Sequence, residues 1–282
     1  MAEQVAVVTD STAYLPGGVA DLLGIVTVPL RVSLGSRTAT DGVDVSPGEV
    51  VGALRGRVAV TTSRPTPAEF AAAYRRCLDS GASHIVSVHL AAALSGTWES
   101  AALAAQDFPH GVVRVVDSRS TAGALGFAVR AAAGAARGGA SAAEVQGAAT
   151  DTVDRTRTLF YVDTIEYLRR GGRVGTAAAL LATSLSVKPI LQMVEGHIVP
   201  LEKVRTSAKA IARLVQLTVD AAGDGVVDVA VHHLAAQARA DQVAGQLRAA
   251  LPRIGELDIA EIGPVVGAHL GPGVIGTVVV RR

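Results

Sequence analysis

Short runs of β-branched residues alternate along the chain with alanine-rich segments of helical length. Eight runs are expected to form strands: residues 5–9, 25–34, 84–89, 112–116, 159–162, 187–194, 226–232 and 274–280. Such alternation of strand-forming and helix-forming segments is typical of proteins in which helices cover a sheet. The pattern therefore predicts the α/β class.

Three of the predicted helices begin with a capping box, in which a hydroxyl side chain and a glutamate three residues later satisfy free N–H groups reciprocally. The pairs are Ser46 with Glu49, Thr66 with Glu69, and Ser141 with Glu144. Proline follows two of these caps, where a missing N–H costs nothing. These starts set the beginning of three helices.

The longest alanine-rich region ends near residue 156, just before the strand expected at Leu159. We place a domain boundary there, which gives an N-terminal α/β domain of residues 1–157 and a C-terminal α/β domain of residues 158–282. Since no linker rich in Pro, Ser or Gly separates them, we expect the two domains to pack tightly and share a cleft.

Composition and charge exclude several classes of protein. The 282 residues carry a net charge of +1, and no basic run interleaves with aromatic residues, so nucleic acid is not an expected partner. The single cysteine, Cys77, cannot form an internal disulfide, and no Cys or His has metal-ligand spacing. A cytoplasmic location without a metal is therefore expected, as is the lack of an export signal.

One apolar stretch, residues 174–187, is shorter than the roughly 20 residues that span a bilayer. It therefore predicts no membrane span.

Four segments combine hydroxyl residues, Gly and Pro where strands should end, which is where open α/β sheets bind ligands. They are Thr9-Asp-Ser-Thr12, Thr61-Thr-Ser-Arg-Pro65, Leu94-Ser-Gly-Thr-Trp98 and Gly267-Ala-His-Leu-Gly-Pro-Gly273. The second and third precede helices, whose free N–H groups and partial positive charge suit an anion. The alternative is that each hydroxyl merely caps its helix.

His269 is the histidine best placed for chemistry, because the glycines around it allow a tight turn and a close approach to another group. Its imidazole could donate a charge-assisted hydrogen bond to a carboxylate, or it could be an ordinary loop histidine. The remaining histidines are expected to be structural or solvent-exposed: His84, His89, His110, His197, His232 and His233.

The sequence supports neither a hydrolase nor a nucleotide-binding protein. Ser95 with His269 would suit a hydrolase, but the G-x-S-x-G elbow is absent, and no glycine-rich loop has the pattern of a phosphate-binding motif.

Taken together, eight ordered segments resemble the DegV family of bacterial fatty-acid-binding proteins. They are Val8-Thr-Asp-Ser-Thr12, Thr62-Ser-Arg-Pro65, Leu94-Ser-Gly-Thr97, Val116-Asp-Ser118, Tyr167-Leu-Arg-Arg-Gly-Gly-Arg173, Lys188-Pro-Ile-Leu191, Lys203-Val-Arg-Thr206 and His269-Leu-Gly-Pro-Gly273. The chain departs slightly from the family at Arg64, where Gln or Leu is commoner, and at Trp98, where Tyr or Phe is expected.

The resemblance implies a two-domain DegV-like fold that holds one long-chain fatty acid between its domains. The carboxylate would be bound by Thr62, Ser63, Ser95 and His269, with the main hydroxyl donor being either Thr62 or Ser63. The apolar residues 174–187 would form the wall of the tunnel for the acyl chain, or a plain packing helix. Each buried methylene of the chain would contribute about 0.8 kcal/mol. A carboxylate enclosed with the chain must be hydrogen-bonded.

The resemblance also implies that the protein is a carrier and not an enzyme, without a cofactor. A separate fatty acid kinase would phosphorylate the bound acid, and the acyl phosphate would enter phospholipid synthesis. The cations Arg170, Arg173, Lys203 and Arg205 would dock an acidic face of that kinase, or form an ordinary solvated surface. The alternative function is a phosphotransfer component with His269 as phosphoryl acceptor. A DNA-binding regulator is disfavoured, since no basic face or helix-turn-helix pattern is present.

Overall fold

The computed structural model describes residues 3–174 and 188–282. Its strands are β1 (Val5–Asp10), β2 (Ile25–Val28), β3 (Arg31–Leu34), β4 (Arg37–Thr40), β5 (Val60–Ser63), β6 (His84–His89), β7 (Val113–Asp117), β8 (Thr156–Tyr161), β9 (Lys188–Val194), β10 (His197–Val204), β11 (Val227–His233), β12 (Ile254–Glu261) and β13 (Ile275–Arg281). Its helices are α1 (Val19–Leu23), α2 (Pro47–Arg55), α3 (Pro67–Asp79), α4 (Thr97–Ala105), α5 (Gly123–Arg137), α6 (Ala142–Asp154), α7 (Glu166–Arg170), α8 (Ser207–Ala222), α9 (Gln237–Ala250) and α10 (Pro264–Leu270). The α/β class predicted from the sequence is confirmed. The apolar stretch interpreted as a tunnel wall or packing helix lies, apart from Val174, outside the described residues.

The chain forms two compact units, each built from two segments. Unit 1 comprises Met1–Arg31 and Ser63–Asp154, and unit 2 comprises Val32–Thr62 and Arg155–Arg282. This grouping differs from the predicted domains, which assigned residues 32–62 to the N-terminal part. The reason lies in packing: α2 packs against α10, and the backbone N–H of Val265 donates to the buried Asp41 carboxylate at 3.3 Å. No hydrophobic periodicity reveals such a distant pairing.

Unit 1 is built on a parallel sheet with the strand order β2-β1-β6-β7. Because all four strands run the same way, their carboxyl ends meet at one edge. One face packs on α5 and α6 through an apolar cluster that includes Val86 and Leu125. The other face packs on α3 and α4 through a cluster that includes Ile85 and Phe70. A sheet covered on both faces explains the continuous apolar runs in its sequence.

Unit 2 is built on a mixed six-stranded sheet with the order β10-β9-β8-β13-β11-β12. β11 and β12 are parallel, and the other neighbours are antiparallel. Helices α8 and α9 cover it through a core that includes Tyr161, Ile190, Leu214 and Leu247. A second sheet has three strands in the order β4-β3-β5, and Thr62 lies on its strand β5.

The single strand predicted at 25–34 is wrong, because the structure divides it into β2 and β3 at Pro29. Proline has no N–H to donate to a ladder, and it favours a break in a strand. Within the described ranges, no helix is long and apolar enough to cross a bilayer.

Candidate functional site

The helix α10 determines where His269 lies in unit 2. Pro264 begins this helix, at a position where its missing N–H is harmless, and the Asp41 carboxylate accepts from the next N–H. The helix ends at Gly271, which has a φ of 76° and whose N–H donates to Gly267 O at 2.8 Å. His269 thus occupies the last turn, held from both ends of a short helix.

Thr62 meets His269 although the two are far apart in the sequence. Thr62 lies near the end of β5, and its Oγ1 is 2.8 Å from the Nε2 of His269. Both side chains are partly buried. Two of the four residues predicted to bind a carboxylate are therefore joined within unit 2 by a hydrogen bond.

Glycines close the other side of the imidazole. An added Cβ at Gly171 would overlap the ring of His269, with Nδ1 nearest. An added Cβ at Gly271 would overlap the ring of Tyr167, which lies on α7. In both the Arg-Arg-Gly-Gly-Arg segment and the His-Leu-Gly-Pro-Gly loop, the glycine backbone therefore packs against a ring, and a side chain at either glycine would displace that ring.

The surroundings of His269 favour the neutral ring. Burial, and in second place the positive charge of Arg173, lower the pKa of His269 from its ordinary 6.5 to about 4. The imidazole is therefore uncharged at neutral pH. If the neutral ring donates a hydrogen bond to a carboxylate, the only charge in that bond is the negative charge of the carboxylate. The positive charge near the site comes from Arg173.

One contact of the ring bears on its tautomer. Nε2 lies 2.8 Å from the hydroxyl oxygen of Thr62, and Nδ1 is the ring atom nearest to where a Cβ of Gly171 would lie. With the proton on Nε2, the ring donates to Thr62 Oγ1, and the Thr62 O–H can donate onward to an anion. The pair can thus act as a two-residue hydrogen-bond donor.

Ser63 and Ser95 belong to unit 1. Ser63 is the exposed last residue of β5, and Ser95 precedes α4. The Ser95 Oγ accepts from the Thr97 N–H at 3.3 Å and lies 2.8 Å from the Thr97 hydroxyl. The N-cap of α4 is Gly96, without a side-chain cap, so Ser95 accepts the first N–H of the helix from one position further out. If the Thr97 hydroxyl donates to Ser95 Oγ, the Ser95 O–H can still donate to a ligand.

The two unit 1 segments touch through Arg64. An added Cβ at Gly96 would overlap the Arg64 guanidinium, which also pairs with Glu99 at 3.5 Å. Arg64, one of the two residues that depart from the family pattern, thus packs against the loop that carries Ser95.

The four cations predicted to dock a kinase differ in their settings. Arg170, Lys203 and Arg205 are exposed, and Arg170 pairs with Glu166 one turn away. Arg173 is partly buried and donates to the Gly171 carbonyl. Arg173 therefore acts on the imidazole as well as on the surface.

Sequence reasoning missed three contributors to this site: Asp41, Gly171 and the effect of Arg173 on His269. The double glycine in the Arg-Arg-Gly-Gly-Arg segment was a signal for close packing, but nothing in the spacing indicates which ring it packs against. Residues 3–174 and 188–282 contain no group of His, Cys, Asp and Glu able to hold a metal ion.

The fold and the Thr62–His269 pair define an α/β protein with a hydroxyl–imidazole site suited to an anion. A family model described as "Uncharacterised protein, DegV family" matches residues 4–282. A DegV domain-containing protein of Streptomyces coelicolor is 51% identical over 282 residues and is aligned over the full length of both chains. The chain belongs to the DegV family.

Two solved structures of this fold are described as fatty-acid-binding proteins. The DegV family protein of Thermus thermophilus, described by its fatty acid binding, matches with a TM-score of 0.94 and 32% identity, covering 99% of this chain and 100% of that one. DegV of Bacillus subtilis, described as a fatty acid binding protein, matches with a TM-score of 0.90 and 31% identity, with the same coverage.

Proposed function

We propose that this protein binds a single long-chain fatty acid and presents its carboxylate to a separate fatty acid kinase. The observation that carries the proposal is the Thr62–His269 hydrogen bond of 2.8 Å, in a fold whose relatives of T. thermophilus and B. subtilis bind fatty acids. Ser63 and Ser95 are further proposed donors to the same carboxylate.

The electrostatics of the site favour a carboxylate over a neutral ligand. Thr62 and the neutral His269 offer O–H and N–H donors, and Arg173 contributes a positive charge close enough to lower the pKa of the imidazole. A buried carboxylate needs such donors, because leaving one unpaired is costly.

Extraction of the purified protein under denaturing conditions tests fatty acid binding directly. Mass spectrometry should find one acyl chain for each protein chain. A delipidated sample should take up added fatty acid and melt at a higher temperature, since a ligand that binds only the folded state stabilises it. If extracts contain no acyl chain and added fatty acids neither bind nor raise the melting temperature, the proposal is wrong.

Alanine variants test the residues that bind the carboxylate. Each of Thr62→Ala, Ser95→Ala and His269→Ala should weaken fatty acid affinity by about 10- to 150-fold, the cost of a lost hydrogen bond to a charged group. Ser63→Ala decides which of the two adjacent hydroxyls is the main donor. Unchanged affinity in all four variants would place the carboxylate elsewhere.

The kinase is proposed to meet the exposed cations Arg170, Lys203 and Arg205, with the complex acting in the cytoplasm as a source of acyl phosphate for phospholipid synthesis. Arg205→Glu should slow acyl-phosphate formation by added kinase in a salt-dependent way while fatty acid affinity stays unchanged. Arg173→Glu should impair both, because Arg173 also acts on His269. Normal transfer by the Arg205 variant at low salt would remove that residue from the docking surface.

A phosphoryl-acceptor role for His269 is less well supported. Nε2 is engaged by Thr62 and Nδ1 faces Gly171, so each nitrogen has a close neighbour. Phosphate labelling of the isolated chain should therefore give no phosphohistidine.

A further inference from the structure

A chain of buried polar side chains runs through unit 1. The Tyr74 hydroxyl donates to Ser87 Oγ at 2.9 Å, Ser87 Oγ lies 2.6 Å from His89 Nε2, and His89 Nδ1 lies 3.1 Å from Asp10 Oδ2. All four side chains are completely buried. Phe70 packs edge-on to the His89 ring at 4.9 Å and closes it from above. The cluster includes Asp10 of the Thr9-Asp-Ser-Thr12 segment, to which the proposed function assigns no role.

The direction of the hydrogen bonds follows from the proton count. Burial raises the pKa of Tyr74, so this phenol keeps its one proton and donates it to Ser87. Ser87 can then donate to His89 Nε2, which leaves the imidazole proton on Nδ1, facing Asp10. A Ser–His–Asp order of this kind suits a nucleophile, but complete burial denies Ser87 a substrate. The hydrogen-bonded chain of Tyr74, Ser87 and His89 instead fixes the orientation of the Asp10 carboxylate.

Asp10 is the point where this chain meets the backbone. Its Oδ1 accepts from the Thr12 N–H at 3.0 Å and from the Thr12 hydroxyl at 2.6 Å. Its Oδ2 accepts from the Leu90 N–H at 2.9 Å as well as from His89. The buried Asp10 carboxyl group thus has four hydrogen-bond partners, and they join the carboxyl ends of β1 and β6.

From Leu90 the hydrogen bonds continue to Ser95. The Ala91 N–H donates to Ser120 O at 2.7 Å, and the N–H groups of Leu94 and Ser95 both donate to Ala91 O, at 2.9 and 3.2 Å. Leu90 thus immediately precedes a hydrogen-bonded turn that begins at Ala91 and ends at Ser95, just before α4.

We infer that Asp10, oriented by His89, Ser87 and Tyr74, is a positioning residue that holds residues 90–97 so that Ser95 can donate to the ligand carboxylate. The role given to Ser95 in this inference rests on the proposed function. The ordering of residues 90–97 by Asp10 does not, because it can be measured without ligand.

Hydrogen exchange of the full chain without ligand tests the positioning. In Asp10→Asn, which replaces two acceptor lone pairs by a donor, peptides covering residues 90–97 should exchange faster than in the wild type. Peptides from unit 2 should be unchanged. Val145→Ala is the matched control, because Val145 is fully buried in the core of unit 1 on α6 and belongs to no part of the polar chain. It should lower the melting temperature without selectively exposing residues 90–97.

A double-mutant cycle for fatty acid affinity then tests the link to Ser95. Asp10→Asn and Ser95→Ala should each weaken binding by about ten-fold or more. The double variant should be no weaker than the worse single variant, whereas Asp10→Asn with His269→Ala should be additive. His89→Gln should reproduce the loss, and Tyr74→Phe should show a smaller one. Val145→Ala should bind normally.

Unchanged exchange of residues 90–97 in Asp10→Asn would overturn the inference, as would additive losses for Asp10→Asn with Ser95→Ala. Loss of affinity on Thr62→Ala and His269→Ala but not on Ser95→Ala would leave the proposed function standing and overturn the inference, since Ser95 would have nothing to contact. If the wild-type chain binds no fatty acid, the proposed function fails. Exchange alone then decides whether Asp10 positions the segment.

Discussion

At the scale of single residues, the unusual state of His269 makes it a sensor of its ligand. Its pKa is lowered to about 4 by burial and by Arg173, and a carboxylate at hydrogen-bond distance would favour the protonated ring and raise that pKa. Carbon-13 NMR titration of the histidine rings should give a value near 4 for delipidated protein and a higher value for protein loaded with fatty acid. The corresponding resonance should vanish in His269→Gln. An equal pKa in both samples would mean that the carboxylate lies away from this ring.

Gly171 gives a second prediction at the residue scale, because its missing side chain is what lets the imidazole lie where it does. Gly171→Ala should displace the ring, break its hydrogen bond to Thr62 and weaken fatty acid affinity by about ten-fold or more. Gly147→Ala is the matched control. Gly147 lies on α6 with open space around it, so the same change there should leave affinity unchanged and stabilise the helix by about 0.5–1 kcal/mol. Equal affinities for the two variants and the wild type would show that the ring has room to move.

At the scale of elements, helix caps make contributions that can be measured one at a time. Thr66 begins α3, where its Oγ1 accepts from the Glu69 N–H at 3.3 Å and the Glu69 carboxylate accepts from the Thr66 N–H at 2.7 Å. Thr66→Ala should lower the free energy of unfolding by about 1 kcal/mol. Ser80→Ala, at the exposed end of the same helix, should change it by less than about 0.5 kcal/mol. Denaturant unfolding measures both, and equal effects would show that the box does not stabilise α3.

The elements also show how far the sequence could predict this structure. All three capping boxes are confirmed, and strand β6 was predicted with its observed bounds. These features depend on residues at most a few positions apart. Strands β4, β5, β10 and β12 were missed, since their sequences mix polar residues with apolar ones and each strand has exposed residues. A local sequence pattern does not indicate which neighbouring strand such a segment will pair with.

In the candidate site, too, the residue types could be predicted from the sequence, but the contacts between distant residues could not. The residue types were predicted, through the resemblance to a family. The contact between Thr62 and His269, the lowered pKa of the imidazole and the packing of Gly171 all come from tertiary structure. The grouping of residues 32–62 with unit 2 brings Thr62 to His269, and no linker or composition shift announces it.

For the whole molecule, two buried neutral histidines make stability depend on pH. Burial lowers the pKa of His232 to about 4, as it does for His269, against an ordinary value of 6.5. Between these values the unfolded chain takes up protons that the folded chain does not, so the free energy of unfolding should fall as the pH drops from about 6.5 towards 4. Above 6.5 both states are neutral at these positions, and their contribution should no longer change.

Urea unfolding of delipidated protein at several pH values measures this dependence. His232→Gln and His269→Gln should each flatten the curve between pH 6.5 and 4, and the two effects should add because the residues titrate separately. A wild-type curve that is flat in this window would mean that the two rings reach water before the chain unfolds.

The order of strands in unit 2 has a consequence for how quickly it can form. β13 lies at the centre of the six-stranded sheet, between β8 and β11, although β8 begins the second segment of this unit and β13 follows every other strand of it. The hairpin of β9 and β10 can pair early, but β8 cannot be joined to β11 until β13 has been captured from far along the chain. Closing such long loops costs entropy before the strands can form stabilising hydrogen bonds, so refolding of this unit should be slow. Its central strand should be the last to gain protection from hydrogen exchange.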